Sequence, residues 1–369
     1  MKAIDLFSGL GGWSTGAVMA GCEVLWAANH WPEAVHWHSE NHPDTQHICQ
    51  DLHQADWTQV PSHDLLLASP CCQGHSKARG KASGNPQHDA SRSTAWAVVS
   101  ALEFHRPQAA IVENVPEFLE WPLYPAWAAA MQALGYALAP HVVNCADLGV
   151  PQERIRMFIV CTRSANPLTL NLPKLEHVPA SRFIDFTAGR WSPIAKPGRA
   201  EATLERVANG RAAHGDRFVM SYYGNTRTGR SIERPIGTIT TRDRWAVVDG
   251  DRMRMLTAEE NLLAMSFPRD IKRPNNHRLT VHMAGNAVPP LAGKRITPAM
   301  RMRLFYAETL EIELPEGWVL VPKQATPTMI SVGQHADDNA PAMRDEQVAK
   351  VWQDMVTIAP TLDQDGWKL

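Results

Sequence analysis

Two adjacent thiols, Cys71 and Cys72, sit in the stretch Pro70-Cys71-Cys72-Gln73-Gly74-His75-Ser76, just beyond the apolar run Leu65-Leu66-Leu67-Ala68. A cysteine at the carboxyl end of a strand becomes a nucleophile when a helix N-terminus or a cation favours its thiolate. In Ile111-Val112-Glu113-Asn114-Val115-Pro116 a carboxylate directly follows an apolar run. Desolvation there raises its pKa and lets it hold a proton near neutrality. In Gly149-Val150-Pro151-Gln152-Glu153-Arg154-Ile155-Arg156 two arginines stand two residues apart, so an extended backbone projects both to one side. Asp5-Leu6-Phe7-Ser8-Gly9-Leu10-Gly11-Gly12 joins a short apolar run to a glycine-rich turn, where the backbone can approach a ligand closely. Gly285-Asn286-Ala287-Val288-Pro289-Pro290 reads by itself only as a turn. Each motif also has a plain structural reading: an inert buried thiol, a helix-capping acid, surface ion pairs, a simple turn.

The elements that must position these residues alternate in type. Strands are predicted over residues 2–7, 23–28, 64–68, 109–112 and 157–161, and helices over 13–20, 32–40, 94–104 and 125–134. Such alternation implies a doubly wound, mostly parallel α/β sheet, with ligands at the carboxyl ends of the strands. All five motifs except the last lie at such ends or just before a strand. Residues 76–93 carry no apolar period and form a long loop bearing Lys77, Arg79, Lys81 and Arg92, which suit phosphate contact. Beyond Cys161 Pro, Gly and Arg become frequent, and a smaller domain is expected over 164–250. A return segment, 251–310, follows, with a helix over 256–266 that Thr257 caps and another over 290–308. Residues 311–369 form an acidic tail.

The chain has 369 residues, 44% hydrophobic and 20% charged, an ordinary globular composition. No apolar run reaches the roughly 18–20 residues needed to span a bilayer, and the start lacks a secretory core, so a cytoplasmic protein is expected. None of the six cysteines forms a CxxC pair and HExxH is absent among the 16 histidines, so no metal site or disulfide framework is expected. The net charge of −2 conceals a gradient. Residues 163–254 hold 16 Lys/Arg against 9 Asp/Glu, and residues 305–369 hold 4 against 11. A basic middle suits a polyanion.

Taken together and in this order, the five motifs resemble those of the DNA (cytosine-5-)-methyltransferases, from Asp5 to Pro290. The resemblance implies a class I S-adenosylmethionine-dependent methyltransferase fold with a target-recognition domain. S-adenosyl-L-methionine is then the cofactor and double-stranded DNA the partner, bound by a monomer in a restriction–modification setting. It implies a cofactor pocket from Asp5, Phe7, Leu10, Gly11, Gly12, Trp31, Asp51, Asn286 and Val288, with Trp31 stacking on the adenine and Asp51 meeting its amino group. Cys72 is then the nucleophile that attacks carbon 6 of a flipped-out cytosine. Glu113 holds ring nitrogen 3 and the exocyclic amine, and Arg154 and Arg156 flank the base. The loop containing Gln73, Ser76, Lys77 and Arg79 closes over DNA, and Arg227, Arg230, Arg242 and Arg244 contact phosphate or guanine.

The sequence departs from that family in three places. Cys71 precedes Cys72 where a second proline is usual, which leaves Cys71 as the alternative nucleophile. His75 replaces the usual phenylalanine. The ribose-binding acid expected after the second strand is replaced by Ala28-Asn29-His30-Trp31, leaving Asn29 or His30 to bond the ribose. The same chemistry on RNA and a catalytically silent DNA-binding relative are the competing readings.

Overall fold

Residues 1–71, 94–222 and 226–306 are described by a computed structural model, residues 301–306 by their backbone alone. Cys72, Gln73, Ser76, Lys77, Arg79, the rest of the expected loop and the acidic tail lie outside the described residues.

Seven strands form the main sheet: β1 (Lys2–Leu6), β2 (Glu23–Asn29), β3 (Gln46–Cys49), β4 (Leu65–Ala68), β5 (Ala109–Asn114), β6 (Ala137–Asn144) and β7 (Ile155–Thr162). Their order is β3-β2-β1-β4-β5-β7-β6. Pairing is parallel from β3 to β5, and β7 runs antiparallel to both β5 and β6. The predicted strands all appear. The two that the sequence did not announce, β3 and β6, are the edges. Edge strands have no continuous apolar run, and β6 carries Pro140, which an edge tolerates.

Strand alternation sorts the core into two faces. Ile4, Leu6, Leu66, Ala68, Ala110 and Val112 pack on one side against helix α3 (Ala95–His105) and helix α4 (Tyr124–Ala133). Ala3, Leu65, Leu67, Ala109 and Ile111 face the other side, against helix α1 (Gly12–Met19). By the same parity Asp5, Glu113, Arg154 and Arg156 project to the α1 side. Helix α2 (Pro32–Asn41) connects β2 to β3.

A second, antiparallel sheet has the order β10-β9-β11-β12-β8. Its strands are β8 (Ser192–Pro193), β9 (Arg217–Ser221), β10 (Arg230–Ser231), β11 (Trp245–Asp249) and β12 (Arg252–Met255). It therefore runs five residues beyond the expected limit at 250. Helix α5 (Glu201–His214) packs on it. That helix was invisible in the sequence because only Thr203, Val207 and Gly210 are buried along it, too few to set an apolar stripe. Helix α6 (Ala258–Ala264) begins with the expected Thr257 cap, completed by Glu260 into a capping box. Glu260 also forms a buried double contact with Arg254 at 2.7 Å, tying β12 to α6. Helices α7 (His277–Asn286) and α8 (Pro290–Tyr306) end the described chain. Residues 285–286, read as a turn, are the last residues of α7.

The last helix returns to the start of the chain. Gly16 and Gly293 meet backbone to backbone: a Cβ on Gly16 would lie 2.9 Å from the Gly293 Cα. Gly12 is even more confined, since a Cβ there would fall 1.9 Å from the Val288 carbonyl oxygen. The glycine turn and the far motif at 285–290 thus press directly on each other.

Candidate active site

The carboxyl end of β5 presents Glu113, 7% exposed. The Arg156 guanidinium on β7 reaches it at 3.1 Å. Burial pushes the Glu113 carboxyl upward, opposed by the positive charges of Arg156 and Arg154. The next residue, Asn114, donates its side-chain amide to the Pro70 carbonyl at 3.0 Å, and its own oxygen accepts from the Val115 N–H. Thr94, just before α3, accepts the Cys71 N–H at 3.1 Å. The strand that carries the acid therefore holds the backbone of Pro70, and α3 holds Cys71. Cys72 follows Cys71 in the sequence and lies outside the described residues. Asn114 and Thr94 were not singled out in the sequence. Both work through backbone bonds, and only Asn114 offered a signal, by adjoining Glu113.

Arg154 behaves differently from Arg156. Its guanidinium is buried and donates to the carbonyls of Ile239, Gly285 and Ala287 at 2.9–3.1 Å. It was expected to flank the base; in the structure its two terminal nitrogens hold these three carbonyls, while its charge still acts on the Glu113 carboxyl. Gln152, also buried, accepts from the Ile239 N–H and donates to the Ala264 carbonyl. Glu153 and Ile236 exchange a further backbone bond. Residues 152–154 thus stitch the main sheet to the joint of the second sheet and to α7. A Cβ on Gly285 would lie 2.3 Å from the Thr240 backbone carbon, which is why that position is glycine. Cys145 lies near this cluster, but burial raises its thiol to about 11, so it is inert.

Of the expected cofactor residues, Phe7 to Gly12, Trp31 and Asp51 follow the carboxyl ends of β1, β2 and β3, beside the β1–β4 switch in strand order, whereas Asp5 is fully buried within β1. Phe7, Gly9 and Gly11 all have positive φ, which curls the chain off β1. Gly11 and Gly12 answer to protein packing, against His42 and Val288. At Gly9 a Cβ would meet, among the described residues, only the Phe7 carbonyl within 4 Å. Leu10 and Val288 are buried in core clusters, so any part they take in a pocket falls to their backbone. Asp51 is exposed, with one oxygen accepting the His53 N–H. Trp31 meets the His282 ring edge-on at 5.3 Å, and His282 bonds the exposed Asn286 at 3.2 Å. His282 was not anticipated, since its i,i+4 spacing to Asn286 becomes meaningful only once 277–286 is known to be helical. Asn29 is spent on the Trp31 N–H at 3.0 Å. Its oxygen shapes the entry to α2, and His30 beside it is exposed.

Of the expected DNA contacts, Arg227 and Arg242 are exposed. Arg230 is committed to Glu153 at 2.6 Å and to the Pro235 carbonyl. Arg244 donates to the Tyr222 carbonyl. Arg230 thus holds the joint through two contacts, and Arg244 through one, within the protein. No group of three metal-ligating side chains occurs among the described residues, and none of their helices is long and apolar enough to cross a membrane.

A seven-stranded sheet with one reversed strand, a glycine turn after β1 and a buried acid at the end of β5 define a class I S-adenosylmethionine-dependent methyltransferase. The chain belongs to the C-5 cytosine-specific DNA methylases, whose family model matches residues 1–196, more than half of its length, and it is a DNA cytosine methyltransferase. Type II methyltransferase M.HgiDI of Herpetosiphon aurantiacus is 28% identical over 301 residues, covering 78% of this chain and 90% of its own. M.AquIA of a Picosynechococcus strain is 32% identical over 231 residues, 55% of this chain and 88% of its own. Among solved structures, a prophage-encoded candidate DNA modification methyltransferase of E. coli superposes with a TM-score of 0.61 at 18% identity, covering 82% of this chain and 98% of that one. A mutant of Spodoptera frugiperda DNMT2 gives 0.57 at 14%, covering 81% and 99%. These likenesses support the fold.

Proposed function

We propose that this protein methylates carbon 5 of a flipped-out cytosine within a specific duplex DNA sequence, through a covalent bond to Cys72. The observation that carries the reading is the buried Glu113–Arg156 pair beside Asn114, which holds the backbone two residues before Cys72. The crevice fits S-adenosylmethionine: Trp31 and Phe7 offer aromatic surface, Asp51 an exposed acceptor, and α1 has no acid in its first turn to repel a carboxylate. When bound, that cofactor supplies an electrophilic methyl group.

Carbon 5 of cytosine is a weak nucleophile. Addition of the Cys72 sulfur to carbon 6 moves electron density to carbon 5 and ring nitrogen 3. Glu113, whose carboxyl burial pushes upward, delivers a proton to nitrogen 3, and Arg156 balances the charge on the neighbouring carbonyl. Loss of the carbon 5 proton after methyl transfer expels the sulfur. Because stacking hides carbon 6, the base must be extruded, at a cost of a few kcal/mol.

A duplex carrying 5-fluorocytosine at the target tests this, since fluorine blocks the final proton loss. Wild-type protein should form a complex that survives denaturing electrophoresis, and Cys72→Ala should not. A Cys72→Ala protein that still traps DNA would transfer the role to Cys71. Bisulfite sequencing of DNA from expressing cells identifies the site.

A further inference from the structure

Beneath the glycine turn lies a chain of buried polar groups that the methyl-transfer chemistry does not use. Asp5 is fully buried, and one carboxylate oxygen takes the Ser14 hydroxyl at 2.7 Å. The other has no partner among the described residues. Ser14 Oγ lies 3.0 Å from His38 Nε2, and His38 Nδ1 lies 2.7 Å from His47 Nε2. The chain thus runs from β1 through α1 and α2 to β3, where His47 is half-buried. Beside it His42 bonds Thr15 at 3.2 Å and also the backbone of Gly11. A Cβ on Gly11 would lie 2.9 Å from the His42 ring. The histidines therefore form the floor on which the turn rests.

Every bond in this chain can be satisfied in two ways. With Asp5 ionised, His47 donates to His38, His38 to Ser14, and Ser14 to Asp5. With Asp5 protonated, the order reverses and His47 accepts. Both arrangements keep all imidazoles neutral and differ by one proton, and the first gives up the bond of His47 to the Thr45 backbone. Among the described residues the titratable groups facing the chain are His38 and His42 from α2 and its end, and His47 from β3. Strands β2 and β4 place Ala27 and Leu67 opposite Asp5, and α1 contributes hydroxyls. No cationic side chain among these groups holds Asp5 ionised.

We propose that the Asp5–Ser14–His38–His47 chain is a proton-linked brace for the glycine turn, so that cofactor binding releases a proton from Asp5. The inference rests on the reading that S-adenosylmethionine occupies the crevice over this turn. Its sulfonium and ammonium are positive charges, and a buried carboxylate nearby is the group whose ionisation they favour. Burial raises Asp5 to about 7, which puts its titration within reach of neutral pH. Asp5, Ser14 and His38 act here as positioning residues.

Calorimetric titration of the full-length protein with S-adenosylmethionine, without DNA, in buffers of different ionisation enthalpy counts the protons released. Asp5→Asn serves as reference and cancels the ionisation of the cofactor's own amine. Wild-type protein should release about half a proton more than Asp5→Asn near pH 7, and its Kd should weaken about tenfold from pH 8 to pH 6 relative to that variant. Equal proton counts and parallel Kd profiles would overturn the inference. Should Asp5→Asn fail to fold, Ser14→Ala removes the donor that lowers Asp5 and should move the midpoint of the Kd profile to higher pH. An unmoved midpoint counts against the brace. Absence of binding at every pH would overturn both this and the cofactor reading, whereas binding without proton linkage overturns this alone.

Discussion

At the residue scale, the site divides its charged groups by what their donors and acceptors are free to do. Glu113 and Arg156 have one contact with each other and face the strand ends, whereas Arg154 is consumed by three carbonyls. Glu113→Gln keeps the shape and loses the transferable proton. It should lower kcat by at least about 100-fold while leaving S-adenosylhomocysteine binding intact by calorimetry. A loss of cofactor binding would show that Glu113 serves the fold rather than the base. Arg227 and Arg230 offer a paired comparison. Arg227→Ala should reduce the slope of log K against log salt for DNA binding by about one. Arg230→Ala should leave that slope unchanged and lower Tm, since Glu153 loses its partner. Motif resemblance alone treated these arginines alike.

At the element scale, the decisive contacts are between segments far apart in sequence. The glycine turn touches residue 288, and the segment before β7 touches 236–239 and 285–287. Gly12→Ala has no room at 1.9 Å from the Val288 oxygen. It should cost about 1–3 kcal/mol in urea unfolding and weaken cofactor binding with it, because the turn must shift. Arg154→Met should cost at least about 3 kcal/mol, since three buried carbonyls lose their donor. An unfolding midpoint within experimental error of wild type would refute the bracing role. These elements were only partly legible beforehand. β1, β4 and β5 declared themselves through continuous apolar runs, as buried parallel strands do. α5 and α7 did not, because their buried faces are short and their partners lie outside the local window.

At the scale of the whole molecule, stability depends on buried neutral histidines. His42 and His63 are lowered to about 4 and His38 lower still, chiefly by burial. An unfolded histidine takes up its proton near 6.5. Their contribution is therefore complete above about pH 6.5 and is lost as pH falls toward 4, at most about 3 kcal/mol for His63. Asp5 works in the opposite sense, because its folded pKa of about 7 exceeds the unfolded value, so acidification relieves it. Three imidazoles outweigh one carboxyl, and the Tm of the protein without cofactor should fall between pH 7 and pH 5. A Tm that rose or stayed level over that interval would mean the histidine cluster opens to water.

The order of five short motifs in the chain by itself determined the family and the doubly wound sheet that carries it. Those features follow from residue type and from local strand-end position, which the chain encodes over a few residues. Only the tertiary structure decided that Arg154, Arg230 and Arg244 bond within the protein, that Asn114 and Thr94 hold the backbone of Pro70 and Cys71, and that three histidines lie under the glycine turn. The physical reason is that a hydrogen bond is a competition among all groups within reach. Which carbonyl or carboxylate wins a guanidinium depends on segments up to 133 residues away, and no local pattern carries that information.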